Sequence, residues 1–263
     1  MTAADARTPV TRGVVYACSH PAWFREAMQS AASCRRHMPG LACEIYLPRA
    51  LHDEAGDRIT PLFSKIVALD DVVHMHRPRF EAMQLCQLDE ALFLDCDTLF
   101  LGPVEELFDV LRHFEMGITP APQQFSHTGV RGGVYDLLPP VSTAVPEWNG
   151  GFILARVTEA FRSFARTWST LFESCRARGY HMDQAALRSA VVTSSLRSIT
   201  LPVNYNFRAN FAQSIKGPVK VLHAHGELYE IAKSINETLK TRFYQPDPAL
   251  IHGFKPKELQ KAR

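Results

Sequence analysis

Two aspartates with one residue between them, Asp95-Cys96-Asp97, interrupt an apolar run that extends from Ala91 to Phe100. A buried strand does not carry charge unless the charge is paired or bound to a metal. The pair is therefore expected where a strand surfaces at its carboxyl end, the ligand-binding end of open α/β sheets. Residues i and i+2 of an extended chain point to the same side. Two carboxylates aimed together repel unless a cation lies between them. Hard oxygen ligands suit Mg²⁺ or Mn²⁺, which combine one or two protein carboxylates with substrate phosphates. A bare D-x-D is most often a solvated acidic turn. The apolar residues on both sides bring the metal reading level with it.

Four further groups carry chemistry. His223-Ala224-His225-Gly226 ends an apolar strand. One imidazole could complete a site with Asp95, Asp97, phosphate oxygens and water. His223 is preferred because it lies nearer the strand, and His225 is expected to point away. Asn149-Gly150-Gly151 offers backbone that a ligand can approach closely and an amide that can bond a sugar hydroxyl; a plain turn fits the same residues. Asp183-Gln184 reads equally as a helix cap or as a carboxylate–amide pair. Arg77 and Arg79 read equally as a solvated charge pair or as bidentate phosphate contacts.

The surrounding elements must position these groups. Val14–Cys18 is a compact apolar run, read as the first strand. Ser19-His20-Pro21 then turns into a helix with apolar residues at Phe24, Ala27, Met28 and Ala31. Met38-Pro39-Gly40 closes that helix before a second strand, Cys43–Leu47. Strand–helix–strand order predicts a parallel, right-handed unit and an α/β fold. Ile66–Leu69 reads as a third strand, and 79–87 as a helix leading into the aspartate-bearing strand. Glu105 and Glu106 fit the first turn of a helix. Residues 120–147, rich in Pro, Gly, Ser and Gln, read as a long loop. Phe161, Phe164, Ala165, Trp168, Leu171, Phe172 and Cys175 form an amphipathic stripe that is read as core packing. Late strands are expected at Ile199–Pro202 and Val219–His223. Three segments are delimited: a tail over 1–12, a domain over 13–244 and a polar tail over 245–263.

Composition narrows the function classes. The chain has 263 residues, 46% hydrophobic and 21% charged, an ordinary globular balance. A net charge of +2 does not argue for a nucleic-acid partner. The six cysteines contain no C-x-x-C pair, which fits free thiols in a reducing cytosol. Residues 1–12 lack the apolar core of a signal peptide, and no window approaches the roughly eighteen apolar residues of a spanning helix. A soluble, cytoplasmic protein is expected.

Taken in order, these motifs resemble those of a GT-A fold glycosyltransferase, most of all the glycogenin-like retaining group (family eight) and its nucleotide-diphospho-sugar transferase relatives. The resemblance is carried by Leu92-Phe93-Leu94-Asp95-Cys96-Asp97-Thr98, Asn149-Gly150-Gly151, Asp183-Gln184, Leu201-Pro202-Val203-Asn204-Tyr205-Asn206 and His223-Ala224-His225-Gly226. It covers roughly 14–226. It implies a Rossmann-like, mostly parallel sheet flanked by helices in a single domain. It also implies metal-assisted transfer of a sugar from a nucleotide-diphosphate donor, UDP-linked by default, to an undefined saccharide, lipid or protein acceptor. The cofactor would be Mn²⁺ or Mg²⁺. Asp95, Asp97 and His223 would hold it, and Asp95 would also touch the ribose. Asn149, with Gly150 and Gly151, would hold the donor sugar. Asp183 and Gln184 would face its reacting carbon. Arg79 would contact donor phosphate or sugar. The loop Ala17–His20, including Cys18, would border the base.

Two departures stand out. The family pattern H-x-x-G-x-x-K-P-W has Tyr229 at its lysine, and no Lys-Pro-Trp follows. Lys216, Lys220 or Lys233 could substitute, and the sequence selects none. Cys96 replaces a small aliphatic residue. A nucleotidyltransferase would be expected to carry glycines after the first strand, which Cys18-Ser19-His20-Pro21 lacks. A catalytically degenerate sugar-nucleotide binder is the other alternative.

Overall fold

The computed structural model describes residues 10–55, 59–70, 76–122 and 133–251. The start of the chain, the middle of the 120–147 stretch and the end of the C-terminal tail lie outside the described residues. In chain order the elements are β1 (Arg12–Ala17), α1 (Pro21–His37), β2 (Ala42–Pro48), α2 (Arg49–Ala55), β3 (Lys65–Leu69), α3 (Arg77–Leu85), β4 (Glu90–Leu94), β5 (Thr98–Phe100), α4 (Leu107–Val110), β6 (Met116–Pro120) and β7 (Trp148–Arg156). They continue with α5 (Glu159–Arg176), α6 (Gln184–Thr193), β8 (Ser198–Thr200), β9 (Phe207–Arg208), β10 (Gln213–Ile215), β11 (Val221–His223), α7 (Leu228–Ser234) and β12 (Arg242–Tyr244).

The main sheet runs β3-β2-β1-β4-β7-β6-β8. β1, β2, β3 and β4 are mutually parallel, as are β6 and β8, whereas β7 is antiparallel to both of its neighbours. Alternation along β4 shows why this strand is apolar throughout. Leu92 and Leu94 enter the core beneath α1, and Ala91 and Phe93 enter the opposite core beneath α3, α5 and α6. Full burial of each Leu or Phe contributes about 1.5–3 kcal/mol. The α5 stripe packs into that second core, with Trp168 and Phe172 fully buried.

The stretch Ala91–Phe100 holds two strands, with the aspartates just past the carboxyl end of the first, where the sequence reading put the strand's exit. β4 stops at Leu94, and β5 joins a second, three-stranded sheet in the order β5-β11-β9. Asp95-Cys96-Asp97 is the corner between the two sheets. Asp95 surfaces there as expected. Asp97 does not: it is only 8% exposed, because the chain turns inward again at once.

Candidate active site

Main-chain hydrogen bonds bring the motifs together before any side chain is considered. On one side of the corner, Asp95 N donates to Gly151 O at 3.0 Å. On the other, Ala224 N donates to Asp97 O at 3.0 Å, and β11 pairs with β5 so that His223 sits opposite Thr98. The corner is also tied to α1. Tyr16 Oη, Ser30 Oγ and Thr98 Oγ1 form a buried chain, and Thr98 Oγ1 donates to Asp95 O at 3.0 Å. The register between β6 and β7 shifts between Ile118 and Thr119, so that Ile118 faces Ile153 and Thr119 faces Asn149. The intervening glycines belong to this bulge, a device that re-aims a strand near functional sites.

The carboxylates of Asp95 and Asp97 converge on His223. Its Nε2 lies 3.3 Å from Asp97 Oδ1 and 3.6 Å from Asp95 Oδ2. One ligand atom from each of the three residues lies within 4.8 Å of the others. The other ring nitrogen, Nδ1, is 2.6 Å from Asn206 Oδ1. The Asn206 amide donates its nitrogen to Thr119 Oγ1 and Asn149 Oδ1, so its oxygen is the acceptor for Nδ1–H. That assigns the proton to Nδ1 and turns the Nε2 lone pair toward both carboxylates. Oxygen–oxygen–imidazole is a donor set suited to a divalent ion. The residues present fit such an ion.

Gly151 makes the cluster possible. A Cβ built there would collide with Asp95 Oδ2 and His223 Cε1. At Gly150 it would come within 3.0 Å of Arg79 Nη1 and 2.9 Å of Trp168. The sequence reading gave these glycines a ligand to approach; in this structure side chains of the site itself occupy that space. Asn149 Oδ1 already accepts from Gly151 N and Asn206 Nδ2, so only its NH₂ group remains to donate to a ligand.

Arg79 connects the cluster to α6. Its Nη2 donates to Asp95 Oδ1, its Nη1 donates to Asp183 Oδ2 at 2.7 Å, and its guanidinium lies 5.7 Å from the centre of the Trp168 ring. Burial works against the charge, but the two carboxylates more than offset it and raise the Arg79 pKa. Arg77, by contrast, pairs with Glu81 one helical turn away and is half exposed, the solvated reading. Asp183 occupies the N-cap position of α6, yet its side chain makes no capping hydrogen bond. The capping alternative fails because its carboxylate turns to Arg79 instead. His76, which the motif search passed over, lies 3.5 Å from the same carboxylate oxygen through Nδ1, and its Nε2 is 3.2 Å from His181 O. Burial pulls its pKa down, and the Asp183 charge counters this only in part.

His225 does not point away. Its Nδ1 is 2.9 Å from Glu26 Oε1 on α1, and its Nε2 is 3.7 Å from Asp97 Oδ2. Residues two apart in extended chain share a side, which the expectation for His225 neglected. Burial lowers the His225 pKa, but the hydrogen bond to Glu26 and the charges of Asp97, Glu26 and Asp95 push it up to about 9. Burial by itself would raise the Asp97 carboxyl; the neighbouring positive charges, His225 and Arg208 among them, hold it well below the usual carboxylate range.

Of the remaining sequence candidates, Gln184 opens α6 beside Asp183. Cys18 is fully buried, with its thiol donating to His20 O, and it backs its loop instead of lining it. Ala17 O accepts from the Cys96 thiol at 3.5 Å, so Cys96 faces β1 and not the carboxylate cluster. All six cysteines are free and buried. Among the described residues no helix is long and apolar enough to cross a membrane.

No protein-family model matches the sequence, and no curated protein matches it either. Solved structures do. Glycosyltransferase GlyE from Streptococcus pneumoniae TIGR4 aligns with 18% identity and a TM-score of 0.51 over 76% of this chain. That alignment takes in 48% of GlyE, so the chain spans about half the length of that relative. Mouse xyloside xylosyltransferase 1 aligns with 13% identity and a TM-score of 0.54 over 82% of this chain and 98% of its own. An active-site mutant of LgtC aligns with 14% identity and a TM-score of 0.58 over 81% and 87%. The chain shares the GT-A fold of these glycosyltransferases: a mostly parallel sheet flanked by helices.

Proposed function

We propose that this chain is a glycosyltransferase that moves a sugar from a UDP-sugar to a saccharide, lipid or protein acceptor, with retention of anomeric configuration as in the glycogenin-like family eight. The observation that carries this reading is the convergence of Asp95, Asp97 and the His223 Nε2 lone pair at the corner between two sheets of a GT-A fold. These three residues would hold Mn²⁺ or Mg²⁺. When bound, such an ion acts as a Lewis acid toward the diphosphate that departs.

The chain's own residues do the rest. Asn206 fixes the His223 tautomer. Gly151 leaves room for the two ligand side chains. Arg79 holds Asp95 and Asp183 at a fixed separation, so the metal side and the sugar side keep one geometry. Asp183 and Gln184 flank the reacting sugar carbon, where a carboxylate or amide oxygen stabilises developing positive charge. The Asn149 NH₂ group donates to a sugar hydroxyl.

Calorimetric titration of the full chain with UDP, with and without Mn²⁺, tests the reading. Metal-dependent binding is expected, together with slow release of UDP from at least one UDP-sugar. UDP affinity that is identical in both titrations would overturn it.

A further inference from the structure

We propose that Arg208 supplies the positive charge for the donor diphosphate that the family pattern assigns to a lysine at the position of Tyr229. The inference rests on the transferase reading and extends it to a residue outside the motifs.

Backbone register puts Arg208 in place. β9 runs parallel to β11, and Arg208 is the direct partner of His223. Directly paired residues on adjacent strands project to the same face. Arg208 Nη1 accordingly reaches within 3.4 Å of His223 Nε2, the lone pair that faces the carboxylates. Segment 206–208 thus addresses both ring nitrogens of His223, Asn206 from one side and Arg208 from the other.

Arg208 is only partly exposed, and among the described residues no carboxylate lies within ion-pair distance of it, although its charge acts on Asp97. Its contacts are the Asn210 amide oxygen at 3.5 Å, the His223 ring and the face of Phe211. A sheltered cation with no carboxylate in direct contact is costly unless an anion completes it. Two of the three candidate lysines are committed elsewhere. Lys220 bonds Pro103 O and pairs with Glu106, and Lys233 pairs with Glu230. Arg79 holds Asp95 and Asp183. A cation and the guanidinium cannot both take the Nε2 lone pair. Once an ion is present, Arg208 must turn from His223, and a diphosphate held by that ion would offer it an anion. A guanidinium fork matches phosphate oxygens bidentately, as a lysine ammonium does not.

The test is calorimetry of wild type, Arg208→Ala and Arg208→Lys with UDP and with UMP at saturating Mn²⁺, and with Mn²⁺ alone. Arg208→Ala is expected to lose between about tenfold and a hundredfold in UDP affinity, with UMP affinity held within about threefold. Arg208→Lys should recover part of the loss. Mn²⁺ alone should bind Arg208→Ala as well as wild type or more tightly, since a competitor for Nε2 is gone. Unchanged UDP affinity in Arg208→Ala overturns the inference and leaves the transferase reading intact. Equal weakening of UDP and UMP, or loss of Mn²⁺ binding, overturns it too and makes Arg208 a support for His223. Wild type that binds neither nucleotide removes the transferase reading, and this inference with it.

Discussion

On the α3 side of the site, Asp95 Oδ1 and Asp183 Oδ2 are each met by a nitrogen of Arg79, a cation that belongs to the chain and cannot leave. On the β11 side, Asp95 Oδ2 and Asp97 Oδ1 face an imidazole nitrogen whose proton is on the far side of the ring. Asp95 takes part in both arrangements, one oxygen in each. In the first, each carboxylate oxygen has its donor, and the arrangement behaves as structure. The second has its donors in place and calls for an exchangeable cation. On the proposed reading, the demand for an ion is confined to one face of one carboxylate cluster, and the other face is braced by Arg79.

Substitutions can break this contrast at graded strength. Asp97→Asn keeps the shape and removes the charge on the ion-demanding side. Metal-dependent sugar-nucleotide turnover is expected to fall on the order of a thousandfold. Turnover within about tenfold of wild type would show that no ion is held there. On the braced side, Arg79→Ala strands two carboxylates, and urea unfolding should report a loss of about 3 kcal/mol, with turnover down about a hundredfold. If stability is unchanged, the Arg79 side is not the structural half.

Asn206→Ala sharpens the contrast. It removes the acceptor that holds the proton on Nδ1, so Mn²⁺ affinity measured by calorimetry should fall about 10–100-fold. Near-wild-type Mn²⁺ affinity would mean that the tautomer is held some other way. The smallest effect belongs to Cys96→Ala. The side chain between the two aspartates turns to Ala17 O, so Mn²⁺ and UDP affinities should stay within about threefold of wild type. A larger loss would place the thiol on the ion.

Some of this was legible before folding. The apolar run at Ala91–Leu94 announced a strand buried on both faces, and the charges after it announced an exit from the core. Periodicity located α1 and α5 to within a few residues. Spacing named Asp95, Asp97 and His223, which are 126–128 residues apart in the chain at the extremes and meet in space. Other features left no local trace. Nothing in Thr98-Leu99-Phe100 says that it joins a different sheet from Ala91–Leu94, because a strand's partner is chosen by what the rest of the chain offers. Asp183 read equally as a cap or as part of a carboxylate–amide pair because both share one composition; only its bond to Arg79 at 2.7 Å, in place of a capping bond, sets capping aside. His76 and Glu26 lie in segments with no motif, and they enter the site through packing alone.

The amino-acid sequence by itself determined which chemical groups are available and which strands can be buried, since side-chain type and hydrophobic alternation are local properties. Tertiary structure alone decided the ownership of each charge. It gave Asp183 to Arg79, turned the lone pair of His223 toward the aspartates and set Arg208 beside it. Those outcomes depend on strand register and on ångström-scale distances between residues remote in sequence, and no local pattern encodes either.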